Sequence, residues 1–161
     1  SVASASHIHL AERGRGTLEN RGMWAFLSRN RDAGLLMLRL TLGALFLWAH
    51  GWAKLTAGSK GWTEIGSAMS SIGITFWPVF WGFMATMAET AGVVLFIIGF
   101  AFRPACLLIA FTMAVAGIFS WHHPISKEFG ALGSASHAWE LGLVFFSMIF
   151  IGPGKYSVDK N

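Results

Sequence analysis

The sequence predicts an all-α integral membrane protein, a bundle of four transmembrane helices with short interfacial helices, and three observations predict it. Apolar residues make up 54% of the chain and charged residues only 12%, about half the charge of an ordinary soluble domain. The apolar residues gather in four long runs, near 33–52, 77–102, 104–121 and 136–152. About 20 residues at ~1.5 Å each cross a ~30 Å hydrocarbon core, so each run is of spanning length or close to it. The chain also carries 8 Trp, several of them near run ends, where indole rings settle at the lipid headgroups.

Composition closes other classes. The basic pI near 9.7 does not point to nucleic acid, because the arginines cluster beside a membrane helix, where topology and anionic headgroups account for them. Cys106 is the single cysteine, which excludes an internal disulfide, a CxxC redox pair, a CxxCH haem site and an all-Cys cluster within the chain.

Residues 1–32 form a polar, basic N-terminal arm, and 33–161 form the membrane domain. Within the arm, Thr17 to Asn30 mixes Leu18, Trp24, Phe26 and Leu27 with Arg21, Arg29 and, just beyond, Arg31. That mixture predicts a short amphipathic helix lying on the membrane or on a partner protein. The first apolar run begins only after five arginines, so it is expected to remain in the membrane rather than act as a cleaved leader.

The first span, AGLLMLRLTLGALFLWAHGWAK, carries Arg39, His50 and Lys54 on one stripe with Gly43 and Phe46. At 100° per residue His50 falls about 20° from Arg39 and Lys54 about 60°. An arginine this deep costs roughly 2.5–3.5 kcal/mol on the insertion scale, so the stripe must face other helices or water. Between spans, Trp62, Ile65, Met69 and Ile72 recur at helical spacing and predict an interfacial helix closed by Gly73. The second span (77–102) presents Gly82, Ala85, Thr86, Gly92 and Gly99 as a small-residue packing face, with Glu89 near its middle. Arg103-Pro104 marks a hairpin, and Pro104 suits the first turn of the third span. His122-His123-Pro124 ends that span; Ser136 is a candidate cap for the fourth, which carries Glu140 early and stops at Pro153-Gly154.

Four spans place both termini on one side. Arginine and lysine number eight on that side (five in the arm, Arg103, Lys155, Lys160) and three on the other (Lys54, Lys60, Lys127). The positive-inside bias then puts the termini and Arg103 in the cytoplasm.

The ionisable residues fall into two layers, and they have two readings. In the first, Arg39 pairs with Glu89 and the set fixes helix register. In the second, His50, Lys54, His122 and Glu140 line a pocket that holds a quinone headgroup or another small polar ligand, with Glu140 and His122 as the proton-handling, catalytic pair. No spacing singles out a haem or metal site, since His122 and His123 point about 100° apart on a helix.

The segment LRLTLGALFLWAHGWAKL resembles the first helix of the DoxX family of small four-helix membrane proteins. Glu89 and Gly92, GFAFRPA at the hairpin, WHHP, Glu140 and the closing GPGKYSVD follow in order, so the resemblance covers about 33–159. It places the family's polar positions on Arg39, His50, Lys54, Glu89, Arg103, His122 and Glu140; the arm and His123 lie outside the pattern. The related DoxD proteins are membrane subunits of a thiosulfate:quinone oxidoreductase. The resemblance therefore implies a quinone-linked setting inside a larger complex of a bacterial or archaeal inner membrane, although a chain without paired thiols is ill-suited to sulfur relay. The two resulting function classes are a quinone-binding enzyme subunit and a non-catalytic accessory subunit docked on a respiratory or photosynthetic complex. A small transporter fits less well, for want of paired repeats and an interrupted helix.

Overall fold

The computed structural model describes residues 29–126 and 128–159. The expected arm helix, with Arg21 and Trp24, lies outside the described residues. Four helices are long and apolar enough to cross a membrane: Arg31–Thr56, Pro78–Ile98, Phe102–His122 and Gly130–Ile151, here spans 1 to 4. Spans 2 and 3 are the buried centre, each 44% buried over its most apolar window, against 22% for span 1 and 17% for span 4. Most of the surface of spans 1 and 4 is therefore left facing outward, where apolar side chains such as Met37, Leu45, Trp48, Leu143 and Phe150 stand exposed. Such a surface suits lipid, not water. The end of the bundle that carries Arg31, the span 2–3 hairpin and the tail is called the terminal end below; the opposite one is the loop end.

Span 1 buries the stripe read from the sequence: Leu35, Arg39, Gly43 and Phe46. The helix is not uniform. A π-helical turn, Leu47–Gly51, interrupts it before Trp52–Thr56 completes the span. Such turns insert one extra residue into the helical ladder and shift the faces that follow. The shift matters because Gly51 lies against span 2, where a Cβ would come within 2.8 Å of the Glu89 carbonyl oxygen.

Span 2 is interrupted too, and this corrects the expectation of an uninterrupted second span. It is built of Pro78–Glu89 and Ala91–Ile98, separated by Thr90 at φ −115°, ψ −78°. The Thr90 hydroxyl donates to the Thr86 carbonyl at 2.6 Å, giving that acceptor a partner beside the break. Span 2 also ends earlier than the apolar run suggests, at Ile98, because Gly99 turns left-handed (φ +68°). Its conformation and the arginine packed over it both require glycine: a Cβ there would meet the Arg39 guanidinium at 2.7 Å.

The interfacial helix is present as Gly58–Ser67 followed by a 3₁₀ turn, Ala68–Ile72, closed by Gly73 at φ +84°. Backbone bonds from Gly73 to Ser70 and from Ile74 to Met69 complete the helix end, as a left-handed glycine cap should. It does more than lie on a surface, for it packs backbone to backbone on span 2. A Cβ on Gly82 would fall 1.7 Å from the Trp62 carbonyl oxygen, and one on Gly66 1.8 Å from that of Pro78.

Span 4 starts at Gly130, not at Ser136. Ser136 is inside the helix, and Ser134 does the tying, its hydroxyl accepting from Ile125 N and Ser126 N at 2.9 Å. The core between the spans is aromatic. Phe145 meets Phe46 and Phe96 edge-on at 5.4 Å and 5.0 Å, and Phe96 stacks on Phe102 at 5.3 Å.

Candidate functional site

Two deeply buried charges organise the two ends of the bundle, and they do not meet. Arg39, 1% exposed, donates to the Pro153 carbonyl at 2.7 Å and to the Tyr156 carbonyl. Its expected partner, Glu89, is 0% exposed and pairs with Lys54 instead, Nζ lying 2.6 Å from both carboxylate oxygens. The Arg39–Glu89 pair read from the sequence is thus corrected. Arg39 packs over Gly99, and from residue 89 to residue 99 is about 15 Å of helix. Lys54 reaches Glu89 because long helical side chains lean back toward the N-terminus of their own helix, here down past the Gly51 contact.

The tail that answers Arg39 is itself a built element. Asp159 accepts from Ala101 N and Phe102 N at 3.1 Å and 2.9 Å, capping span 3. Val158 N and Asp159 N donate to the Ile98 and Gly99 carbonyls. Asp32 accepts from Lys155 N at 3.0 Å, and the Arg103 side chain donates to the Ile149 carbonyl at 3.1 Å. All four spans are tied at this end.

At the loop end the Lys54–Glu89 pair forms part of the wall of a cavity of about 340 Å³. The rest of the wall is almost wholly apolar: Ile65 and Met69 from the interfacial helix, Ala85 and Ala88 from span 2, and Leu108 and Val115 from span 3. The sequence pattern revealed Ile65 and Met69 as one helical face, but not that this face closes a cavity. Phe80, Met84 and Phe111 also line it and are exposed at the flank of the bundle. They belong to spans 2 and 3, so the opening is toward lipid.

The pair has spare hydrogen-bonding capacity. An ammonium carries three protons, and two of those on Lys54 are used on Glu89. Trp81, another lining residue, has its indole nitrogen buried without an acceptor, a state that costs about 1–3 kcal/mol. Donors on an otherwise apolar wall can serve a ligand with acceptor oxygens on an apolar body.

The other expected pocket residues are placed elsewhere. His122 and Glu140 are exposed, and neither they nor His50 line this cavity. His50 is half-buried in the π-helical turn, its ring 4.8 Å from Phe46 and 5.6 Å from the His137 ring of span 4. His123 stacks on Phe119 at 4.3 Å. Arg29 and Arg31 are exposed, and Arg31 donates to the Ile151 carbonyl at 3.4 Å. Among the described residues no group of three or more His, Cys, Asp or Glu could hold a metal ion.

The family model DoxX matches residues 34–123, more than half of the chain. The chain belongs to the DoxX family. The matched part of this DoxX protein includes Arg39, Lys54 and Glu89, and ends at the second histidine of WHHP. Span 4 and the tail that accepts from Arg39 lie beyond it. No curated protein and no solved structure matches the chain.

Proposed function

We propose that this DoxX protein is an integral membrane subunit of a quinone-linked electron-transfer complex, and that the cavity beside Lys54 and Glu89 takes the quinone headgroup. The observation that carries the reading is the ion pair of buried Glu89 with half-buried Lys54, standing in the wall of an apolar cavity open toward lipid. The pair is neutral as a whole, so an uncharged ligand leaves it intact, whereas an anion would compete with Glu89 for Lys54 and strand the carboxylate. Lys54 would donate its third proton to a quinone oxygen, and Glu89 would accept the proton of a hydroxyl on the reduced form. Membership of the DoxX family, whose related DoxD proteins are subunits of a quinone-linked enzyme, agrees with a quinone, and the excess of lysine and arginine at the terminal end favours a cytoplasmic location for both termini. The rival is an accessory subunit. The wholly apolar groove between spans 3 and 4, lined by Leu107, Ala114, Gly142 and Leu143 among others, would favour it by offering a partner helix a seat.

The test is to purify the membrane complex through this chain and extract its quinones, from wild type, Ala85→Trp and Glu89→Gln. Quinone should accompany wild type and be lost from Ala85→Trp, whose ring fills the cavity. Quinone-linked turnover should fall by ~10²–10⁴-fold in Glu89→Gln, the amide being unable to take a proton. Wild-type quinone content and rate in both variants would make the chain an accessory subunit.

A further inference from the structure

The sequence groups His50, Lys54, His122 and Glu140 in one pocket, but the structure sets His50 and Lys54 in a different series, with Glu89 on one side and His137 on the other. Glu89, fully buried, touches Lys54. Lys54 lies about one turn beyond His50 on span 1, so the two side chains are neighbours on the helix. His50 in turn is half-buried and faces His137 of span 4, with 5.6 Å between ring centroids, and His137 is exposed. We infer that Glu89, Lys54, His50 and His137 form a proton path from the cavity wall to the water at the loop end of the bundle.

Each link rests on placement. Lys54 follows His50 by four residues on span 1, and the His137 ring stands 5.6 Å from that of His50. Among the described residues that line the cavity, Lys54 is the one charged group beside Glu89: the interfacial helix contributes Ile65 and Met69, and span 3 contributes Leu108, Phe111, Thr112 and Val115. Around His50 the neighbours are Phe46 and Lys54 on its own helix and His137 across from it, with the exposed carboxylate of Glu140 one turn beyond His137 on span 4. The π-helical turn is the local cause. It holds His50 itself, and by displacing one residue of the ladder it lets both the ring and the ammonium that follows turn inward.

The proton balance closes. Glu89 takes a proton at the cavity. Lys54 passes one of its own to a ring nitrogen of His50 and recovers it from Glu89. His50 then hands the proton to His137, and His137 releases it to water. One proton enters, one leaves, no electron moves, and every group returns to its starting state. In the proposed function this path would carry away the proton that a quinone hydroxyl gives up, and to that extent it rests on that reading. Its test does not.

The test uses the full chain in lipid nanodiscs and a rapid drop in pH followed by infrared absorption. The carbonyl band of protonated Glu89 is assigned by its disappearance in Glu89→Gln. In wild type the band should rise promptly after the drop. In His50→Phe, which keeps a ring against Phe46, and in His137→Phe, at an exposed position, it should reach the same height at least ~10-fold more slowly. Unchanged rates in both variants would overturn the path, as would a Glu89 that stays unprotonated at every pH where the protein remains folded. Slowing in His50→Phe alone would remove His137 and overturn the path as drawn here. None of these outcomes depends on whether a quinone binds.

Discussion

The two ends of the bundle handle a buried charge in opposite ways. At the terminal end Arg39 is surrounded by main chain, its two hydrogen bonds going to carbonyls of the tail. The tail in turn is held by Asp32, Asp159 and the backbone of residues 98–102. At the loop end Glu89 is met by a single flexible side chain, and the space beside the pair is open. Carbonyl dipoles fixed by backbone are a rigid solution that leaves no titrating partner. An ion pair on a lysine stem can be opened, can exchange a proton, and can share its spare donor with a ligand. The difference teaches that the same fold fixes one buried charge with main chain and leaves the other to a side chain beside open space.

That contrast can be broken by substitution. Removing Lys54 strands the fully buried Glu89 carboxylate and should cost about 3–5 kcal/mol, whereas removing Glu89 leaves an ammonium that is 26% exposed and should cost less; Lys54→Met should lower the unfolding midpoint strongly in detergent, and Glu89→Leu by a smaller amount. Wild-type midpoints would show the pair to be solvated and the cavity wet. Arg39→Leu should come next. It removes two charge-assisted hydrogen bonds of about 1.5–3 kcal/mol each, part of which is regained by no longer burying a cation. Its distinctive sign is at the tail: limited carboxypeptidase digestion should reach beyond Tyr156 in Arg39→Leu and stop short of it in wild type. Equal digestion would mean that the tail is held without the arginine. The smallest effect belongs to Asp159→Ala, which removes the cap of span 3 and should cost about 0.5–2 kcal/mol, seen as faster amide exchange at Ala101 and Phe102 with the loop end unchanged.

Much of this was legible in the sequence. Length and composition give four spans, the 3.6-residue stripe gives Arg39, Gly43 and Phe46 as a buried face, and Gly73 gives the end of the interfacial helix. The pairing of charges was not legible, because it depends on how far one helix slides along another. Arg39 and Glu89 are each near the middle of an apolar run, so the simplest match joins them. The structure offsets span 1 by the π-helical turn and by the backbone contact of Gly51 on Glu89, which brings Lys54 to the glutamate. Nor could the sequence show that carbonyls more than a hundred residues away accept from both terminal nitrogens of Arg39. Main-chain acceptors leave no mark in residue type, and GPGKYSVD reads only as a helix stop. His122 and Glu140 looked like pocket residues because each sits at the loop end of its span. Which way each faces is set by span 3 and span 4 packing, and both emerge exposed.

The central claim is that Glu89 belongs to Lys54 and Arg39 to the tail, and two double-mutant cycles measured side by side test it most directly. The cycle of Lys54→Met with Glu89→Leu should return a coupling energy of at least ~2 kcal/mol, the double variant being more stable than the sum of the single losses allows. The cycle of Arg39→Leu with Glu89→Leu should be additive to within ~0.5 kcal/mol, as for sites without a shared partner. A large coupling in the second cycle and none in the first would contradict the account.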